Sequence, residues 1–159
     1  MFHRWAALVL VLALCAMSPK NAAGQTQSQQ SPRGHSAGTL GRNSPNPFNP
    51  ETSIKFGVDP ETCTDGSQQH LVTLRILNVL GQIVTHFQLR GPASTSATGI
   101  TGVLNGQLLN NVKLGCGKYQ AYWSGNLPNG KEAASGTYIV QLLIDGKLGA
   151  PVQRMYNAK

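Results

Sequence analysis

Acidic residues are scarce in this chain: 6 Asp+Glu stand against 13 Lys+Arg over 159 residues, a formal net charge of +7. The six carboxylates fall in turn-like stretches and at strand ends, with no pair placed for general acid–base work. Histidine is sparser still, at four, of which His3 falls in the leader. His35 lies in a polar tract, and His70 and His86 lie on or beside strand-like stretches where they read as surface residues. None has a partner at the spacing that puts two ligands on one helix face, so no metal site is expected. No serine occupies a G-x-S-x-G elbow, and Gly115-Cys116-Gly117 lacks the following helix that a phosphate loop needs. Neither a catalytic residue nor a cofactor site is expected, and the chain reads as not an enzyme. The cations do not form runs; Lys55, Arg75, Arg90, Lys113, Lys118, Lys131 and Lys147 are spread singly, which argues against nucleic acid as a partner. Such a balance bears on solubility, or on attraction to an anionic cell surface, rather than on fold.

The one long apolar run is residues 6–17, preceded by Arg4 and followed by the small residues Ala22-Ala23-Gly24. That is the pattern of a cleaved secretory signal peptide over residues 1–24, too short for a comfortable membrane span. The lipoprotein alternative through Cys15 puts the large Leu14 where a small residue is wanted. The mature chain is thus expected to begin at Gln25, with no stable membrane span after signal cleavage, and to be exported through the inner membrane. Removing Arg4 and Lys20 leaves 11 Lys+Arg against the same 6 Asp+Glu. Residues 25–43 are rich in Gln, Ser and Gly with little to bury, and read as a disordered linker.

Of three cysteines, Cys15 departs with the signal peptide, leaving Cys63 and Cys116. Two thiols in an exported chain read as one disulfide, the alternative being two unrelated buried thiols. Cys63 lies in a turn-rich connection, and Cys116 near the end of a Gly/Thr/Ser/Asn-rich insertion over residues 90–117. That insertion is either a binding surface or an idle loop.

At residues 44–56, SPNPFNPETSIKF, the polar tract gives way to a long β-patterned run. Pro45, Pro47 and Pro50 stiffen the backbone, Asn46 and Asn49 suit turn geometry, and Phe48 is a single large apolar side chain to be plugged into a core. Alternation then marks strands over 70–80 and 137–145; 83–89 reads as a return strand, 118–124 as an aromatic-rich strand and 150–157 as a hairpin partner, with turns at Gly81, at Gly125 through Gly130, and at Asp145-Gly146. Trp123 and Tyr138 could form an exposed sugar platform, but their place in apolar alternations favours core. No helix is expected after the signal peptide. Short strands with glycine-rich turns predict an all-β antiparallel sandwich of about seven strands over residues 44–159.

The runs PNPFNPETSIKF, VTLRILNVLGQIV, YWSGNLPNGKEAASGTYIVQL and RMYNAK, in that order, resemble the C-terminal sorting domain of the type IX secretion system, a relative of the Ig-like domain of flagellar hook-capping proteins. The resemblance covers residues 44–159, interrupted by the insertion. It implies a single Ig-like sandwich in which Pro45, Asn46, Pro47, Phe48, Asn49, Pro50, Gly81, Trp123, Gly125, Gly130, Gly136 and Tyr138 are structural positions of the motif. It also implies a sorting signal in the final strand, around Arg154, Met155 and Lys159. Expected partners are then an outer-membrane secretion machinery or cell-surface components, and the expected location is the cell surface or medium, with the periplasm as an alternative. Ser124 stands where the family often has an acidic residue, and Tyr156-Asn157-Ala158 replaces its aliphatic run. A stand-alone extracellular binding or scaffold module is the second function class.

Overall fold

A computed structural model describes residues 36–59, 63, 68–92 and 105–159. The signal-peptide reading, residues 25–35 of the linker and residues 93–104 of the insertion lie outside the described residues. Ten strands run β1 (Gly38–Leu40), β2 (Thr52–Val58), β3 (Gln69–Leu77), β4 (Ile83–His86), β5 (Gln88–Pro92), β6 (Val112–Gly115), β7 (Gly117–Trp123), β8 (Gly136–Ile144), β9 (Lys147–Leu148) and β10 (Gln153–Asn157). One sheet has the order β1-β2-β7-β5, and the other β10-β8-β3-β4, with β6 joined to β3 and β9 to β8. All pairings between strands are antiparallel. The expected all-β sandwich is therefore the observed class, and no described residue is helical.

Period-two alternation places the core. Tyr138, Val140, Leu142 and Ile144 of β8 are buried while the residues between them are half-buried. Val72, Leu74 and Ile76 of β3 join them, and Ile54, Phe56 and Val58 of β2 with Tyr119, Ala121 and Trp123 of β7 complete one continuous cluster from both sheets. Each alternating strand turns one face inward, and burial of these side chains supplies the main driving force.

Three details depart from the sequence reading. The single strand expected over 83–89 is two, because the chain changes sheets at Phe87: β4 pairs with β3, and β5 with β7. Phe87 itself is fully buried at the crossing. The linker expected to run to residue 43 already contributes β1, in register with Phe56–Val58 of β2. Finally, the second half of the insertion is built into the sandwich. Leu109 is fully buried, its N–H donating to Phe87 O at 2.8 Å and its carbonyl accepting from Leu74 N–H at 2.9 Å. Next to it β6 pairs with the first half of β3, and Val112 and Leu114 enter the core.

Candidate functional site

The Pro/Asn motif and the final strand form one assembly. Phe48 is buried against Trp123, their ring centroids 5.4 Å apart, and Trp123 meets Tyr138 edge-on at 5.4 Å. Trp123 donates its indole N–H to Asn126 O at 2.9 Å, and Tyr138 its hydroxyl to Ala134 O at 2.8 Å. Both aromatics are therefore core, as their alternation predicted, and neither forms a sugar platform. The backbone of Phe48 runs beside β10: its N–H donates to Tyr156 O at 2.9 Å, and its carbonyl accepts from Ala158 N–H at 3.0 Å. Tyr156 N–H donates to the side chain of Asn46 at 3.0 Å. Pro45, Pro47 and Pro50 all follow cis peptide bonds, and Pro45, Pro47, Asn49 and Pro50 are exposed. Gly125 is where the following turn meets this motif. Its φ is +80°, and a Cβ there would lie 2.1 Å from Pro50 O.

The motif thus clasps the outer side of β10, a marginal strand of its sheet. Residues of β10 divide by parity. Met155 and Asn157 point inward, Met155 fully buried and Asn157 donating its amide to Ala133 O and Ala134 O at 3.1 Å. Arg154 and Tyr156 are exposed. Lys159 bonds Glu132 at 2.8 Å, which holds the Glu132 carboxyl below its ordinary range. Of the three residues assigned to a sorting end, Arg154 and Lys159 are available on the surface, whereas Met155 is a core residue. Asn43, read as linker, is buried and holds the motif from the other direction, donating to Pro45 O at 2.9 Å and to Thr52 Oγ1 at 3.0 Å.

A second constellation lies around the cysteines. Cys63 and Cys116 are joined by a disulfide, their Cα atoms 6.2 Å apart. Cys116 is the residue between β6 and β7, so the bond ties the β2–β3 connection to a crossing between the sheets. His70, expected at the surface, has its Nε2 3.8 Å from Cys63 Sγ. Its Nδ1–H donates to Asp145 Oδ2 at 2.7 Å, an ionised carboxylate being an acceptor only. Asp145 Oδ1 accepts the Leu71 N–H at 2.9 Å. The bond from His70 holds the Asp145 carboxyl below its usual range against partial burial, and the Leu71 N–H adds to the effect. Asp145 and Gly146 have φ of +51° and +76°, the mirror-image turn that an Asp-Gly pair favours, and this turn delivers the carboxylate to β3. The turn was legible in the sequence, but its contact with His70, 75 positions away, was not.

A third feature is a shallow recess of about 490 Å³ lined by Gln88, Leu89, Arg90, Asn105, Gly106 and Tyr122. The Arg90 guanidinium lies 3.9 Å over the Tyr122 ring. Tyr122 donates its hydroxyl to Glu51, and this bond, with a smaller effect of burial, pushes the phenol up from its ordinary value.

No protein-family model matches the chain, and no curated protein matches it. Among solved structures, the Pseudomonas fluorescens alkylpurine DNA glycosylase AlkC bound to DNA containing an abasic site analog superposes with a TM-score of 0.41 and 12% identity. The superposition covers 78% of this chain and 31% of the glycosylase, so the chain spans under a third of that protein's length. Likeness at that level carries no functional argument.

Proposed function

We propose that the chain is an exported, non-enzymatic β-sandwich module whose final strand is a sorting and cell-surface attachment determinant of the type IX secretion kind, read by an outer-membrane secretion machinery. The observation that carries this reading is the organisation of β10: a marginal strand that the Pro/Asn motif fastens by its backbone, while Arg154 and Tyr156 face outward. A receptor can read such an exposed side-chain stripe or add a strand beside the part of the edge that the clasp does not cover. The apolar run at 6–17 and the Cys63–Cys116 bond support passage into an oxidising compartment. Among the described residues, no helix is long and apolar enough to cross a membrane. The Arg90–Tyr122 recess favours the second reading, a stand-alone binding module.

The test is a fusion of residues 25–159 behind a signal peptide and a reporter, in a host with the secretion machinery. Deleting β10 would also remove Met155 from the core, so the informative variant is Arg154→Glu/Tyr156→Ala, which leaves the buried residues intact. The unsubstituted fusion is expected at the surface, and the variant in the periplasm with an unchanged melting temperature. If the two fusions distribute alike, the sorting reading fails and the binding module replaces it.

A further inference from the structure

Cys63, His70 and Cys116 come from three separate parts of the chain, yet their ligand atoms all lie within 4.8 Å of one another. The disulfide engages two of the three. The third is aimed: Asp145 holds the Nδ1 proton of His70, which leaves the lone pair on Nε2, the nitrogen 3.8 Å from Cys63 Sγ. Asp145 is itself fixed by the Leu71 N–H and by a turn with two left-handed residues. A carboxylate behind an imidazole whose other nitrogen faces cysteine sulfur is the arrangement that orients metal-binding histidines. A simple cross-link between β3 and the β8–β9 turn would need the His70–Asp145 bond but not the sulfurs beyond it.

We propose that this corner is a redox-gated site for a thiophilic divalent cation of the zinc class, bound by Cys63 Sγ, Cys116 Sγ and His70 Nε2 once the disulfide is reduced. An external dithiol reduces the bond: it transfers two electrons and two protons, the S–S bond breaks, two protein thiols form, and the reductant leaves as its own disulfide. The cation then displaces both thiol protons. Bond lengths of about 2.3 Å to sulfur and about 2.0–2.1 Å to nitrogen, at tetrahedral angles, set sulfur and nitrogen about 3.5 Å apart and the two sulfurs about 3.8 Å apart. The present Sγ–Nε2 distance of 3.8 Å needs only a small contraction. The sulfurs must separate from bonding distance, which side-chain rotation at the two cysteines, both outside regular strands, can supply. Three protein ligands leave a fourth position for water or an added ligand. A disulfide oxidant reverses the gate by thiol–disulfide exchange: it takes two electrons from the two cysteine thiolates, its own S–S bond breaks, it leaves as a dithiol after taking up two protons from water, the Cys63–Cys116 bond re-forms and the cation is released.

The experiment titrates Co²⁺ into the full mature chain, anaerobically, in oxidised and dithiol-reduced forms, with Zn²⁺ as competitor. The reduced chain is expected to bind one Co²⁺ with thiolate charge-transfer and tetrahedral ligand-field bands that Zn²⁺ abolishes, and the oxidised chain to show neither. Asp145→Asn should weaken binding by about 10–100-fold, and His70→Ala should weaken it further and alter the ligand-field bands. Zn²⁺ should also raise the melting temperature of the reduced chain, or restore its fold if reduction unfolds it. The proposal is overturned by binding of equal strength in the oxidised form, by His70→Ala binding as tightly as the parent, or by Zn²⁺ leaving the reduced chain's stability unchanged. None of these outcomes depends on where the protein is sorted.

Discussion

Gly125 and Gly81 have nearly the same backbone, φ +80° and +77°, but opposite surroundings. A Cβ at Gly81 would meet nothing within 4 Å, so Gly81→Ala carries only the left-handed penalty of about 1–2 kcal/mol. At Gly125 the same change also drives a methyl into Pro50 O and displaces the clasp, so Gly125→Ala should cost more than about 3 kcal/mol. Chemical denaturation of both variants checks the contrast; equal losses would refute the close packing. His86 offers a pH signature. Partial burial, with the Arg75 charge, lowers its pKa. Its native value lies below the unfolded one, so its contribution is fully present above about pH 6.5 and is lost as pH falls through the native value. The stability loss between about pH 7 and about pH 5 should therefore be shallower in His86→Gln than in the parent. At this scale the sequence was informative where one residue type meets one backbone need, as at Gly81, Gly125 and Asp145-Gly146. It was silent where a side chain is fixed by a partner on another segment, as for His70 with Asp145 or Asn43 with Thr52.

Strands with clean alternation, such as β7 and β8, were readable because each buries one face against the opposite sheet; β3 was readable from Val72, Leu74 and Ile76, although Thr73 and Leu77 between and beyond them are buried as well. The misread elements lack that signature for identifiable reasons. β1 contributes mainly backbone: Gly38 is packed so closely that a Cβ would lie 2.4 Å from Gly57 O, so no hydrophobic pattern announces it. Over 83–89 the apolar residues Ile83, Val84, Phe87 and Leu89 read as one short strand, and nothing in their spacing reveals that one half belongs to each sheet. In the insertion, polar residues hid the fact that Leu109 fills the gap between β4 and β6 along β3, beside Leu74 and Phe87. Leu109→Ala should consequently destabilise by about 2–5 kcal/mol, as for any fully buried leucine. A change within about 0.5 kcal/mol in urea unfolding would restore the idle-loop reading.

Across the whole molecule, the Cys63–Cys116 bond joins residues 53 apart in sequence. Chain-entropy reasoning gives such a cross-link roughly 4 kcal/mol, acting through the unfolded state. Denaturant titration of Cys63→Ala/Cys116→Ala should show a loss of that order in metal-free solution, and no loss would remove the structural role. The clasp of Asn46 and Phe48 on β10 has a different, kinetic consequence. It closes a span of 110 positions between Asn46 and Tyr156, so its entropy is recovered only after most of the intervening strands are in place. Contacts of this kind form late, on the native side of the folding barrier. Phe48→Ala is therefore expected to accelerate unfolding while leaving the refolding rate nearly unchanged. Slowed refolding in stopped-flow mixing would place the clasp in the nucleus instead. A late clasp also means that the chain stays unlatched until β10 is in place, so that seating Phe48 beside the final strand is the last step in closing the sandwich.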